Sequence, residues 1–222
     1  MPQWLVTLSW ISVVLGLVTA GAVASDVARH PQHMKIMNVV WPVTALYLPV
    51  AGWWVYTSMG RPMAAHATMM KEGRAFWKSV FVSATHCASG CVIGDLIGAP
   101  IVFATGWVLF GERLYAEYAV EFVLAYVFGI AFQYLAIRET RQVPPREALV
   151  DAVKSDTLAL TAFEVGLFGW MALNYFLVSP AQRPDVSTGV YWFMMQIGMI
   201  LGLLTSYPAN WLLVKWGVKT GM

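Results

Sequence analysis

The run His86-Cys87-Ala88-Ser89-Gly90-Cys91-Val92-Ile93-Gly94-Asp95 places an imidazole, two thiols and a carboxylate close together. It lies inside the apolar stretch Val80 to Leu109, which is long enough to cross a bilayer. One ionisable residue at that depth costs roughly 2.5–3.5 kcal/mol, so a cluster of them there points to function. On a helix, four residues advance only about 40°, which aligns Ser79, Ser83, Cys87, Cys91 and Asp95 in one stripe. A second row, His86, Gly90, Gly94 and Gly98, runs beside it as a small-residue seam for a neighbouring helix. Phe81, Val92, Ile93 and Leu96 cover the opposite face, so the polar stripe is expected to look inward.

Distance separates two chemistries for the thiols. Helical i, i+4 residues have Cβ atoms ~5–6 Å apart, whereas a disulfide wants ~3.5–4.5 Å. Two thiolates on one soft ion lie about 4.6 Å apart, twice a ~2.3 Å metal–sulfur bond, and side-chain rotation reaches that without bending the helix. The competing account is two small buried residues that simply pack. With His86 and Asp95 alongside, the pattern favours metal ligation by Cys87, Cys91, His86 and Asp95.

Further soft donors flank this stretch. His30, His33 and Met37 on one side, with Met194, Met195 and Met199, could receive or release an ion, and Met59, Met63, His66, Met69 and Met70 could do so on the other. Thioethers and imidazoles suit copper(I), although each Met alone is more ordinary as core filler. Glu164 is the candidate charge or proton partner, with Asp156 on its face at i−8. Glu121, Gln133, Asn174 and Gln196 add inward polarity. The simpler account is that Glu164 pairs with a Ser, Thr or Trp donor on another helix, or with Lys154 snorkelling inward, and for Asp156 and Glu121 near the interface such pairing is the preferred account.

The elements that must position these groups read as helices. Hydrophobic residues make up 59% of the 222, charged residues 12%, and 11 residues are Trp, a composition that fits a polytopic membrane protein and not a soluble domain. A net charge of +2 without a basic run excludes nucleic acid as a partner. Two cysteines are too few for a secreted disulfide framework.

Six segments reach the ~20 apolar residues of a spanning helix: Trp4 to Ala24, Met37 to Ser58, Ser79 to Val108, Tyr115 to Ile137, Thr157 to Val178 and Gly189 to Val214. The expectation is therefore an all-α, polytopic, single six-helix transmembrane domain over 1–222. Ala22-Val23-Ala24 resembles a signal-peptidase site, but no Lys or Arg precedes it, so the first segment reads as a helix. Alternating the loops puts ten Lys and Arg on the side of both termini and four on the other, which predicts both termini cytoplasmic. Ala64 to Lys71 and Pro145 to Lys154 could be short interfacial helices. Pro42, Pro49, Pro100 and Pro208 are candidate kinks or breaks.

Several long blocks carry a resemblance. They are His30-Pro31-Gln32 with Met37 to Tyr47, the Thr85 to Asp95 block with its HCxxGCxxGD pattern, Lys154 to Leu158 with Phe163 to Gly166, and Tyr191 to Gln196 through Trp211. Over nearly the whole chain the sequence resembles a bacterial integral-membrane family catalogued as a domain of unknown function. That resemblance implies fold kinship and a bacterial plasma membrane, and it supplies no mechanism. The residues themselves favour transport or handling of a transition metal, foremost copper(I), as cofactor or cargo. The alternatives are a membrane enzyme or redox protein using Cys87 or Cys91 with His86, and an accessory subunit of a larger complex. The partners expected are the lipid bilayer, a metal ion and, as an open choice, a second copy of the chain. A haem protein is a weaker variant of the enzyme reading, since axial histidines at membrane depth are expected for one and only His86 lies there.

Overall fold

The computed structural model describes residues 1–61, 75–178 and 183–221. The regular elements among them are α1 (Gln3–Arg29), α2 (Met37–Tyr47), α3 (Ala51–Val55), α4 (Phe76–Thr105), α5 (Arg113–Arg141), α6 (Pro145–Leu173) and α7 (Gly189–Lys215). Single π-helical turns follow α3 at Tyr56–Gly60 and α6 at Asn174–Val178. Among the described residues the fold is all-helical, and five helices, α1 and α4 to α7, are long and apolar enough to cross a membrane. Their exposed faces carry Trp4, Leu17, Val123, Val165 and Leu204, as a lipid-facing surface requires.

The segment Met37 to Ser58 differs from the expected second span. Pro49 has no N–H to close onto Ala45, and Val50 sits in the left-handed region at φ 63°, unfavourable for a β-branched residue. The polar groups freed at this break find partners on other helices. Val50 N donates to Thr19 Oγ1 at 3.1 Å, and Leu46 O accepts from Gln196 Nε2 at 2.9 Å. Gln196 is itself fixed by Ser12, whose hydroxyl donates to its Oε1 at 2.8 Å. The chain then doubles back: a Cβ on Gly52 would stand 2.5 Å from Ala45 Cα, and the rings of Trp41 and Tyr56 lie 5.8 Å apart. The product is a helical hairpin. The 11 residues of α2 rise only roughly 16 Å, about half of a ~30 Å apolar core. Of the four prolines singled out, Pro49 breaks its helix, while Pro42, Pro100 and Pro208 stay inside theirs.

The hairpin also changes sidedness. Lys35 N donates to the Glu139 carboxylate at 3.0 Å, Asp26 binds Arg61 at 3.0 Å, and Arg141 donates to Thr220 at 2.6 Å. One end of the bundle thus gathers the C-terminal ends of α1, α5 and α7 with the open end of the hairpin. At the other end Gly189, the first residue of α7, packs on Trp10 of α1. Gln3 and Lys215 therefore lie at opposite ends of the bundle, and not at the same end as six alternating spans would require.

Two local expectations are corrected as well. Pro145 to Lys154 is no separate interfacial helix but the start of the 29-residue α6, opened by proline in its first turn. Val92 does not face outward: every residue from Val82 to Val92 is buried, with Val82 in one core cluster with Val40, Trp41 and Tyr56 of the hairpin and Val92 in another with Tyr47. The proposed helix Ala64 to Lys71 lies outside the described residues.

Candidate functional site

Glycines set the distance between α4 and α5. A Cβ at Gly90 or Gly94 would stand 2.5 Å from Gly129 Cα or Ala125 Cα, so the two backbones touch as the glycine row predicts. A Cβ at Gly98 would stand 2.8 Å from Glu121 Cγ, which brings this carboxyl to the level of Asp95. On the same row His86 faces α5 with its ring 6.2 Å from that of Phe132. Neither ring nitrogen has a hydrogen-bond partner.

The cysteine stripe is turned about 100° from that row, toward α6. Cys87 and Cys91 are free thiols, fully buried. Asp156 and Glu164, two turns apart on α6, are buried opposite them. Cys87 lies beside Asp156 and Cys91 beside Glu164, close but not aligned for a hydrogen bond to Glu164. Asp95, Glu121 and Glu164 lie within electrostatic reach of one another. Both oxygens of Asp95, both of Glu164 and Oε1 of Glu121 have no hydrogen-bond partner.

The groups form a column along the bundle. Beyond the end of α7, Lys219 folds under the helices, and its buried Nζ donates to Asp156 Oδ1 at 2.7 Å and Asn210 Oδ1 at 2.9 Å. Burial pulls the pKa of this ammonium down, and Asp156, together with Cys87 and Cys91, more than offsets the pull, leaving it raised. At the other end Glu117, one turn from Glu121, pairs with Arg113 at 3.2 Å and accepts from Tyr191 Oη at 3.5 Å. From the level of Cys87 to that of Glu117 the column covers roughly 22 Å at ~1.5 Å per residue. It nearly crosses an apolar core of ~30 Å. Tyr47, at the hairpin tip, adds a fully buried hydroxyl that has no hydrogen-bond partner and lies within electrostatic reach of both thiols.

The structure thus brings together Cys87, Cys91, Asp95 and Glu164, and it leaves other predicted donors apart. His30 pairs with Asp26 at 3.3 Å, His33 is exposed, and both sit at the Lys35–Glu139 end. Met37 is buried in the hairpin core. Met194, Met195 and Met199 are buried in the half of α7 nearer Gly189, so they do not share a side with His30 and His33 as expected. The cause is again the hairpin, which returns the chain to the side it came from. Met63, His66, Met69 and Met70 lie outside the described residues. Among the described residues no three or more His, Cys, Asp or Glu side chains are already gathered as a metal cage.

Sequence reasoning missed Lys219 and Glu117, and it placed Glu121 at an interface. Lys219 follows the last apolar run in a segment that reads as a solvated tail, so no periodicity marks it. Asp156 was expected to pair, and it does, with Lys219 in place of Lys154.

The whole column falls between residues 76 and 219. The family model Domain of unknown function (DUF4396) matches residues 76–219. The chain belongs to the DUF4396 family. The DUF4396 region comprises α4 to α7 and ends on Lys219, with α1 and the hairpin outside it. It is narrower than the resemblance, which began at His30. No curated protein and no solved structure matches the chain.

Proposed function

We propose that this DUF4396 protein transports or handles a soft transition-metal ion within the membrane, copper(I) before others. Cys87 and Cys91 are its ligands, and Asp95 and Glu164 balance charge beside them. One observation carries the reading: two free, buried thiols stand next to carboxyl oxygens that have no partner. Uncompensated carboxylates in a dry interior are costly, so this stretch of the column calls for protons or a cation. Thiolates make a soft cation the better fit, and two of them satisfy copper(I) without a larger cage. His86 would have to leave Phe132 to join them, so it is an auxiliary ligand at most. The same displacement weighs against His86 as base for a thiol enzyme.

The test is copper(I) binding by purified protein under reducing conditions. Cys87→Ser and Cys91→Ser should each abolish most of the affinity, and Asp95→Asn should lose about tenfold, as partners acting through a ligand do. Wild-type protein that binds no copper stoichiometrically, or a double-serine variant that binds as well as wild type, sinks the reading.

The orientation belongs to the same proposal. Ten of the twelve described Lys and Arg lie in the half of the bundle holding Arg141 and Lys215, and only Arg113 and Arg183 in the other. By the charge rule the first half faces the cytoplasm. The arrangement is five spans and a hairpin that enters halfway from the cytoplasm, with the N-terminal end of α1 outside, in a bacterial plasma membrane. With an impermeant thiol reagent on intact cells, Val108→Cys should label, and His33→Cys and Gln142→Cys should not. Labelling at His33 with protection at Gln142 would restore six spans.

A further inference from the structure

The outer end of the column opens on a small cavity. About 20 Å³ lies between Arg113, Glu117, Asn174, Tyr175, Tyr191 and Met194. That is room for one water molecule, which needs two to four polar partners. Asn174 is one of the lining residues, only 4% exposed, and its Nδ2 is buried there without a hydrogen-bond partner. An unsatisfied buried donor beside an ion-paired carboxylate and a tyrosine hydroxyl is the setting in which a water would be held. From this cavity the carboxyls continue inward, each within electrostatic reach of the next: Glu117, Glu121, Asp95, Glu164, then Cys91.

We propose that Glu117, Glu121, Asp95 and Glu164 form a proton path from the thiols to the Arg113 end of the bundle, along which metal binding expels protons. The proposal rests on the metal reading above and adds to it the coupled ion and the direction in which that ion leaves. The balance is simple. Two thiols that ligate one copper(I) ion lose two protons, 2 RSH + Cu⁺ giving [Cu(SR)₂]⁻ + 2 H⁺. The unpartnered oxygens of Glu164 and Asp95 are the nearest acceptors, and relay through Glu121 and Glu117 delivers the protons to the cavity. The opposite exit is blocked by the Lys219 ammonium, fixed on Asp156 and Asn210, which repels an arriving proton. The other charged or titratable groups facing the path are Cys87 and Asp156 at its inner end, Tyr47 from the hairpin, Tyr118 beside Glu121 and Glu117, and Tyr191, Arg113 and Asp185 at its mouth.

Glu121 is the place to test it, because it lies on the path and offers no ligand to the thiol site. Wild-type protein in liposomes of known sidedness, given copper(I) with a reductant, should acidify the compartment at the Arg113 end. Glu121→Gln should retain copper(I) binding and lose at least about tenfold of that proton signal, within the range a positioned proton-transfer group contributes. A Glu121→Gln protein with the full signal overturns the path, as does release at the Lys219 end. Wild type that binds copper(I) with no proton signal overturns this proposal and leaves the metal reading standing. Wild type that binds no copper(I) overturns both. Should Glu121→Gln not fold, infrared difference spectra of wild type decide: the buried carboxyl bands must change when copper(I) binds, and unchanged bands refute the relay.

Discussion

Lys219→Met should be the most destabilising single change in the described C-terminal segment, lowering stability by about 3–5 kcal/mol, because it leaves Asp156 as an uncompensated carboxylate in a sealed interior. The side chain lost is only one ammonium. Its partner, however, has one oxygen bound to Lys219 and the other bound to nothing. Adding Asp156→Asn to Lys219→Met should recover most of the loss, since removing both charges of a buried pair is often neutral. Thermal melts in one detergent for wild type, both single variants and the double variant read the result. A Lys219→Met protein that melts with wild type would show that the ammonium is not what holds Asp156.

The second large effect is on the glycine seam. Gly94→Ala should cost more than any other alanine substitution among the helical glycines of this seam, since the new Cβ would stand 2.5 Å from Ala125 Cα and 2.7 Å from Leu124 C. Backbone cannot yield as a flexible side chain does, so α4 and α5 must part along their length. A cost of several kcal/mol is expected, above the ~1–3 kcal/mol of ordinary overpacking. Gly169→Ala is the control: nothing lies within 4 Å of its Cβ position, and relief of backbone entropy should stabilise it by up to about 1 kcal/mol. Comparable melting temperatures for the two variants would remove the close contact between α4 and α5.

The site was legible where periodicity speaks. The stripe Cys87, Cys91, Asp95 and the row Gly90, Gly94, Gly98 follow from the four-residue spacing alone, and the structure puts the first against α6 and the second on α5. Glu164 and Asp156 follow in the same way. The second apolar segment was misread because hydropathy counts apolar residues and is blind to direction. Pro49 and Val50 together reverse the chain partway along the bundle, and the partners that make the reversal tolerable, Thr19 and Gln196, are remote in sequence. That single error carried the sidedness of His30, His33 and the first helix with it. Lys219 was invisible for another reason: a lone lysine after a span looks like a snorkelling or solvated residue, and only tertiary structure turns it inward.

The distance along the chain between Asp156 and Lys219 bears on how the protein is made. The ribosome delivers α4, α5 and α6 to the membrane well before the residues that follow α7, so Asp156 enters a helical environment with its partner still unsynthesised. Until Lys219 arrives, the nascent bundle holds an unbalanced carboxyl at the inner mouth of the column, and water or a proton must stand in for it. Closure of the bundle is thereby tied to synthesis of the segment after α7: a chain cut short before Lys219 leaves that end of the bundle wet.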